Sequence, residues 1–180
     1  MPVYIALLRG VNVGGRAKVA MADLRALLTE LGFEDPRSLL NSGNLVFRGA
    51  ARKTPELERA LASAVQARLG VTADVMIRTA HDVAALVADN PFPGEAQRDP
   101  GHLIALFLTG SASPRSVAAL QGAIAGREIV RGSGRHLYAY YPDGVGRSKL
   151  TLPAIEAALG TRGTGRNWNT VLKLAALAGA

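Results

Sequence analysis

Four stretches of this chain gather residue types suited to binding negative charge. The first runs Arg9-Gly10-Val11-Asn12-Val13-Gly14-Gly15-Arg16-Ala17-Lys18. Glycines here let backbone N–H groups turn toward a ligand, and Arg9, Arg16 and Lys18 add positive charge. The stretch has the outline of a P-loop, with Gly10, four residues, then Gly15. Arg16 and Ala17 stand where the phosphate-binding lysine and the magnesium-binding hydroxyl would be. That excludes a nucleoside-triphosphate-hydrolysing P-loop. Asn12, Gly14 and Gly15 then read either as ligand contacts or as parts of a wide turn that needs positive φ.

The second stretch is Ser42-Gly43-Asn44, which interrupts an otherwise strand-like run. A mid-strand glycine marks a bulge or a close backbone approach, so Ser42 and Asn44 can line a site or merely re-aim the strand. No Gly-x-Ser-x-Gly elbow surrounds Ser42, so it is not read as a nucleophile. The third stretch, Tyr140 to Lys149, joins aromatics, a turn at Asp143-Gly144 and the cations Arg147 and Lys149. The fourth is Thr164-Gly165-Arg166-Asn167-Trp168-Asn169-Thr170. Arg166 and Asn167 would sit at a helix N-terminus, which favours anions. Asn167 reads equally as an N-cap, and Trp168 falls on an apolar stripe and reads as core.

Composition removes other chemistries. There is no cysteine, so thiolate catalysis, disulfides and zinc–thiolate sites are excluded. His81, His102 and His136 lie far apart in sequence, and no metal or cofactor site is indicated. No pair of carboxylates suggests acid–base catalysis; Glu156 reads as solvated and Asp143 as a turn residue. The net charge is +7 and the isoelectric point about 10.4. Residues 1–90 carry 11 Lys/Arg against 9 Asp/Glu, and residues 91–180 carry 10 against 5. Charge alone fits ordinary solvated surfaces as well as an anionic partner. The first apolar run, Val3–Leu8, is too short for a signal peptide, and no run approaches a membrane span. The expectation is a cytoplasmic protein with no membrane partner.

These stretches need elements to hold them. Val3–Leu8 reads as a buried strand, and Met21–Leu31 as a helix closed by Gly32 with Phe33 folding back. Arg37–Arg48 reads as a strand broken at Ser42-Gly43-Asn44. Pro55–Leu69 reads as a helix capped by Thr54, with a buried stripe of Leu57, Leu61 and Val65. Val71–Arg78 is a strand and His81–Asp89 a short helix. The Pro-rich segment Asn90–Gly101 reads as a linker. His102–Thr109 repeats the first strand's character, followed by a helix at Pro114–Ala123. Arg127–Arg131 and Arg135–Tyr141 read as a hairpin around Gly132-Ser133-Gly134. Helices follow at Thr151–Leu159 and Asn167–Ala178, the last with a face of Trp168, Val171, Leu172 and Ala175. The expected fold is α+β. Two similar small halves, 1–93 and 94–180, each a mixed or antiparallel sheet covered by helices, would pack as one compact unit.

The motifs Tyr4-Ile5-Ala6-Leu7-Leu8-Arg9-Gly10-Val11-Asn12-Val13-Gly14-Gly15, Met21-Ala22-Asp23-Leu24, Ser42-Gly43-Asn44, Asn90-Pro91-Phe92-Pro93, Gly146-Arg147-Ser148-Lys149 and Thr164 to Val171 together resemble the bacterial domain-of-unknown-function family 1697. The resemblance runs nearly end to end. It implies two ferredoxin-like halves and carries no activity or catalytic residue. One departure is Leu39-Leu40-Asn41, where the family usually has a Tyr-Ile-Gln type sequence.

Three readings follow. One is an anion-binding module for nucleotide, nucleic acid or another phosphorylated ligand. A second is a structural or interaction protein whose motifs stabilise turns and packing. The third is an enzyme acting on a phosphorylated or carboxylated small molecule. The residues leave open whether the chain is an enzyme and what its oligomeric state is.

Overall fold

A computed structural model describes residues 1–179 of the chain. It is an α+β protein whose chain divides into two compact units. One is Met1–Ala85 with the chain from Lys173 onward, and the other is Leu86–Leu172.

The first unit runs β1 (Val3–Leu8), α1 (Met21–Glu30), β2 (Glu34–Leu39), β3 (Asn44–Arg48), α2 (Thr54–Leu69) and β4 (Val75–Thr79). The sheet order is β2-β3-β1-β4 and all pairings are antiparallel, which is the ferredoxin-like arrangement. Central β1 is apolar throughout because both its faces are covered. Tyr4, Ala6 and Leu8 point into a core with Leu24, Leu28, Phe47, Leu57, Leu61 and Val65 from the helices and β3. Helix α1 ends as its sequence demands. Gly32 takes φ +83°, its N–H reaches the Thr29 carbonyl, and Phe33 N–H reaches the Leu28 carbonyl, both at 3.0 Å. This double closure satisfies carbonyls at the helix end, and Phe33 then packs on Phe47 with ring centroids 4.7 Å apart.

Two expectations change here. The Arg37–Arg48 run is two strands, β2 and β3, joined by a tight turn, so Ser42-Gly43 form a hairpin turn and not a mid-strand bulge. The irregularity in this edge pair lies earlier, between Glu34 and Arg37, where Asp35 takes φ +49° and Pro36 needs no ladder partner. The N-cap of α2 is Lys53, not Thr54, and it makes no side-chain cap.

The chain continues through α3 (Ala80–Ala88) and α4 (Pro93–Arg98), so part of the segment expected to be a linker is helical. The second unit then has β5 (Leu103–Ala112), α5 (Pro114–Ala123), β6 (Ile129–Tyr140), α6 (Leu152–Leu159) and β7 (Gly163–Asn167), and α7 (Trp168–Ala178) follows. Its sheet order is β6-β5-β7, again antiparallel. Topologically it repeats the first sheet short of one strand, with β5 in the place of β1.

Extended backbone runs through the whole Arg127–Tyr141 region, but the chain folds back within it at Gly132 (φ +110°) and Gly134 (φ +77°), as the hairpin reading expected. A Cβ on Gly132 would lie 3.4 Å from Leu137 Cα, and Arg127 before β6 reaches Asp143 after it. The register against β5 shifts at the same place. Strand β7 replaces the expected loop at Thr164–Asn167. Gly163 and Gly165 lie opposite Leu108 and Leu106. A Cβ on Gly163 would sit 2.9 Å from Leu108 Cδ2, and one on Gly165 would sit 3.0 Å from Ile104 Cγ2. The glycines therefore mark close side-chain approach within a strand. On α7 the buried stripe is Trp168, Val171, Leu174 and Ala175; Leu172 is exposed. No helix among the described residues is long and apolar enough to cross a membrane.

Candidate functional site

In the first unit the glycine-rich loop between β1 and α1 folds into a small hairpin. Gly14 (φ +60°) and Gly15 (φ +72°) form its two-residue turn, closed by Arg16 N–H donating to the Val13 carbonyl at 3.2 Å. Positive φ at both central positions is what such a turn requires. Asn12 also takes positive φ (+56°), and its side chain braces the loop. Its Nδ2 donates to the carbonyls of Val19 (2.8 Å) and Asn41 (2.7 Å), and its Oδ1 accepts from Val19 N–H (2.9 Å). Arg9 reaches Asp74 at 3.5 Å.

The adjoining β2–β3 turn is equally occupied. Asn44 is fully buried, and its Nδ2 donates to the Leu39 carbonyl at 2.9 Å and to Ser42 Oγ at 3.0 Å. Gly43 supplies a carbonyl to Leu8 N–H at 2.8 Å. Arg16 and Lys18 remain exposed. Asn12, Gly15, Lys18 and Asn41 line an open depression of about 610 Å³ in which Lys18 is the sole charged side chain.

The second unit carries a different kind of site. A cleft of about 630 Å³ lies among the end of α5, the segment leading into β6, the 143–150 segment and α6. Its walls are apolar: Leu120, Ile124, Leu150, Ala154 and Ala158. Its polar groups are Arg127, Glu128, Asp143, Arg147, Ser148 and Lys149. Arg127 and Asp143 form a two-pronged pair, Nε to Oδ2 at 3.1 Å and Nη2 to Oδ1. The hydrogen bond from Arg127 holds the Asp143 carboxyl below the usual carboxylate range, and the same contact raises the Arg127 guanidinium. Ser148 Oγ donates to Glu128 and accepts from Leu150 N–H at 2.9 Å, which pins the 145–150 segment. Arg147 and Lys149 are exposed, and neither is paired with a carboxylate among the described residues.

Arg166 and Asn167 do not line this cleft. Arg166 is buried on β7, where Nη1 donates to Thr164 Oγ1 at 2.7 Å and to the Gly165 carbonyl at 2.9 Å. Burial pushes its pKa down to about 10, still charged at neutral pH. Asn167 Oδ1 accepts from Thr170 N–H at 3.0 Å and so caps the first turn of α7. Trp168 is core, with its ring centroid 6.3 Å from that of Tyr138.

The family model of a protein of unknown function, DUF1697, matches residues 1–138. The chain belongs to this family. The matched span contains the glycine loop and the Ser42–Asn44 turn, and it ends before Arg147, Lys149 and Arg166. Among solved structures, the conserved bacterial protein SP0830 from Streptococcus pneumoniae is similar at 25% identity, over 98% of each chain, with a TM-score of 0.78. No curated protein matches the chain.

Sequence reasoning on this DUF1697 member missed Arg127, Glu128 and Ser148 as cleft residues, and it took Asp143 for a turn residue only. These groups are 15 to 21 positions apart along the chain, and only the antiparallel return of β6 brings the ends together. It also missed a polar cluster beside β6. There Asp99 Oδ2 accepts from His102 Nδ1 at 3.1 Å and from Tyr140 O–H at 3.0 Å. The three-residue spacing of Asp99 and His102 across a 3-10 turn was the available signal.

Proposed function

We propose that this protein binds a small anionic, phosphorylated ligand in the cleft of its second unit. The observation that supports this reading is the pairing of Arg147 and Lys149, neither committed to a carboxylate among the described residues, with an apolar-walled cleft of about 630 Å³. Ligand sites are typically of this size, largely apolar, with few polar groups fixing orientation. Arg127 adds a third cation whose charge is balanced by Asp143. A guanidinium forks onto phosphate oxygens, and an ammonium adds a point charge. The cleft's dimensions favour a nucleotide or smaller phosphate ester over a nucleic-acid strand, which needs a tracked basic groove with stacking aromatics.

A second reading applies to the other motifs. Asn12, Asn44 and Asn167 spend their side chains on backbone groups within the fold. These residues support the view that the first and last motifs exist to build difficult turns.

Calorimetric or NMR titration with inorganic phosphate, pyrophosphate and AMP at low ionic strength tests the ligand reading. Each charge-assisted contact is worth roughly 1.5–3 kcal/mol. The Arg147→Ala/Lys149→Ala double variant should therefore weaken binding by at least about tenfold, and added salt should weaken it too. Absence of binding by any of these anions, or binding indifferent to the double variant, would refute it.

A further inference from the structure

Next to the cleft, the second unit contains an apolar recess of about 180 Å³. It is lined by Ile104, Leu106, Leu150, Leu152, Ile155 and Gly165, with the exposed Val145 at its edge. The recess has a clear origin. Gly165 lies opposite Leu106, so β7 offers no side chain there to the face of the sheet that α6 covers. Helix α6 has only eight residues, and the sheet beyond its N-terminus is left to the 145–150 segment. That segment is fixed by Tyr141 O–H donating to the Leu150 carbonyl at 3.0 Å and by the Ser148–Glu128 contact. Leu150 lines both the recess and the cleft. Arg147 and Lys149 belong to the same short segment.

We infer that the ligand carries a short aliphatic chain on its anionic head, with the chain seated in this recess and the head at Arg147 and Lys149. The inference rests on the anion-binding reading above and specifies its ligand. At about 30 Å³ per small group the recess holds about six heavy atoms. Tyr141 also lines it, but its hydroxyl is spent on the Leu150 carbonyl and the other lining side chains are apolar. The recess therefore suits methylenes and disfavours a sugar or a base edge, whose polar groups would go unpaired. The positive charges beside an apolar slot select an amphiphile over a neutral hydrocarbon.

The test titrates the full chain with inorganic phosphate, then ethyl, butyl, hexyl and decyl phosphate, and with hexanoate as a carboxylate arm. Affinity should rise roughly threefold to fourfold per methylene and level off near six carbons. Leu152→Trp, which fills the recess from a half-buried position, should flatten this series while leaving inorganic phosphate binding unchanged. Val145→Asn, on an exposed position, should do the same by placing a polar group at the edge without changing the charge around Arg147 and Lys149, and thermal melting of both variants reports on folding. Hexanoate binding about as tightly as hexyl phosphate would assign the head as any anion; its failure beside hexyl phosphate would assign a phosphate. If phosphate binds and the alkyl series is flat, the recess is not a chain site and the anion reading survives. If no phosphate species binds, both fall.

Discussion

Asn12 Nδ2 donates to the Asn41 carbonyl at 2.7 Å, and this bond ties the glycine loop after β1 to the β2–β3 turn. The same side chain closes a ring with Val19 through two further bonds. Two stretches that look like separate anion-binding loops in sequence are therefore one braced structure. Asn12→Ala should cost about 2–4 kcal/mol: about 1–3 for stranded backbone groups and about 1 for placing alanine at φ +56°. Asn12→Gly should recover only the conformational part. Urea unfolding of the two variants separates the contributions, and wild-type stability in Asn12→Gly would show that the brace is unimportant.

Gly43 and Gly14 predict opposite sensitivities despite similar backbone angles. A Cβ on Gly43 would lie 2.6 Å from Val11 Cγ2 and 2.8 Å from Leu8 Cβ, at φ +79°. On Gly14, at φ +60°, it would meet nothing within 4 Å. Gly14→Ala should cost about 1 kcal/mol from conformation alone. Gly43→Ala should cost about 2–4 kcal/mol because overpacking is added. Denaturant midpoints decide this, and a Gly14 cost equal to that of Gly43 would mean that the loop's tip is held by a contact of its own.

Much of the fold was readable before any coordinates, for identifiable reasons. Helix α1 announced its end because Gly32 and Phe33 form a local motif. Strand β1 announced itself because it is buried on both faces. Strand β7 was not readable, because Gly163 and Gly165 serve neighbours on β5 55 to 61 residues away in sequence, and locally they look like a loop. The same limit hid half of the cleft. Arg147 and Lys149 were legible as a basic pair, but Arg127 and Glu128 acquire meaning only from the register of β6. Arg166 looked like an exposed ligand contact because its neighbours Gly165 and Asn167 are loop formers; strand pairing buries it.

Two tyrosines give the native state an alkaline signature. Tyr138 and Tyr141 are each 3% exposed, and burial pushes both up to about 12 from an ordinary 10.0. Their folded values exceed the unfolded one. The stability they contribute is thus complete below pH about 10 and is lost as pH rises toward 12. Arg166 opposes this, because its folded value near 10 lies below the ordinary 12.5 and its contribution rises over the same interval. Two falling groups against one rising group leave a net loss between pH about 10 and 12. Tyrosinate absorbance should show both phenols titrating late in the folded protein, with Tyr141→Phe removing one late step. Early titration of both would contradict their burial.

The pair of Arg127 and Asp143 sets how much charge the cleft offers a ligand. Asp143 accepts both prongs of the guanidinium and so cancels one of the three cations that line the cleft. Asp143→Asn removes the opposing charge and leaves Arg127 able to turn to an anion. Inorganic phosphate should then bind about three to ten times more tightly at neutral pH, the order that one nearby unit charge is worth at an exposed site. Acid should imitate the substitution in the wild-type protein. The Asp143 carboxyl is held below its ordinary 3.8, so its charge persists until pH falls through that lowered value and only then releases Arg127. Between neutrality and pH about 4 the wild type should therefore keep its weaker affinity, while the variant stays stronger throughout. Titration of both proteins at several pH values reads this directly. Equal affinities at neutral pH would show that Arg127 takes no part in holding the anion and that the site is carried by Arg147 and Lys149 alone.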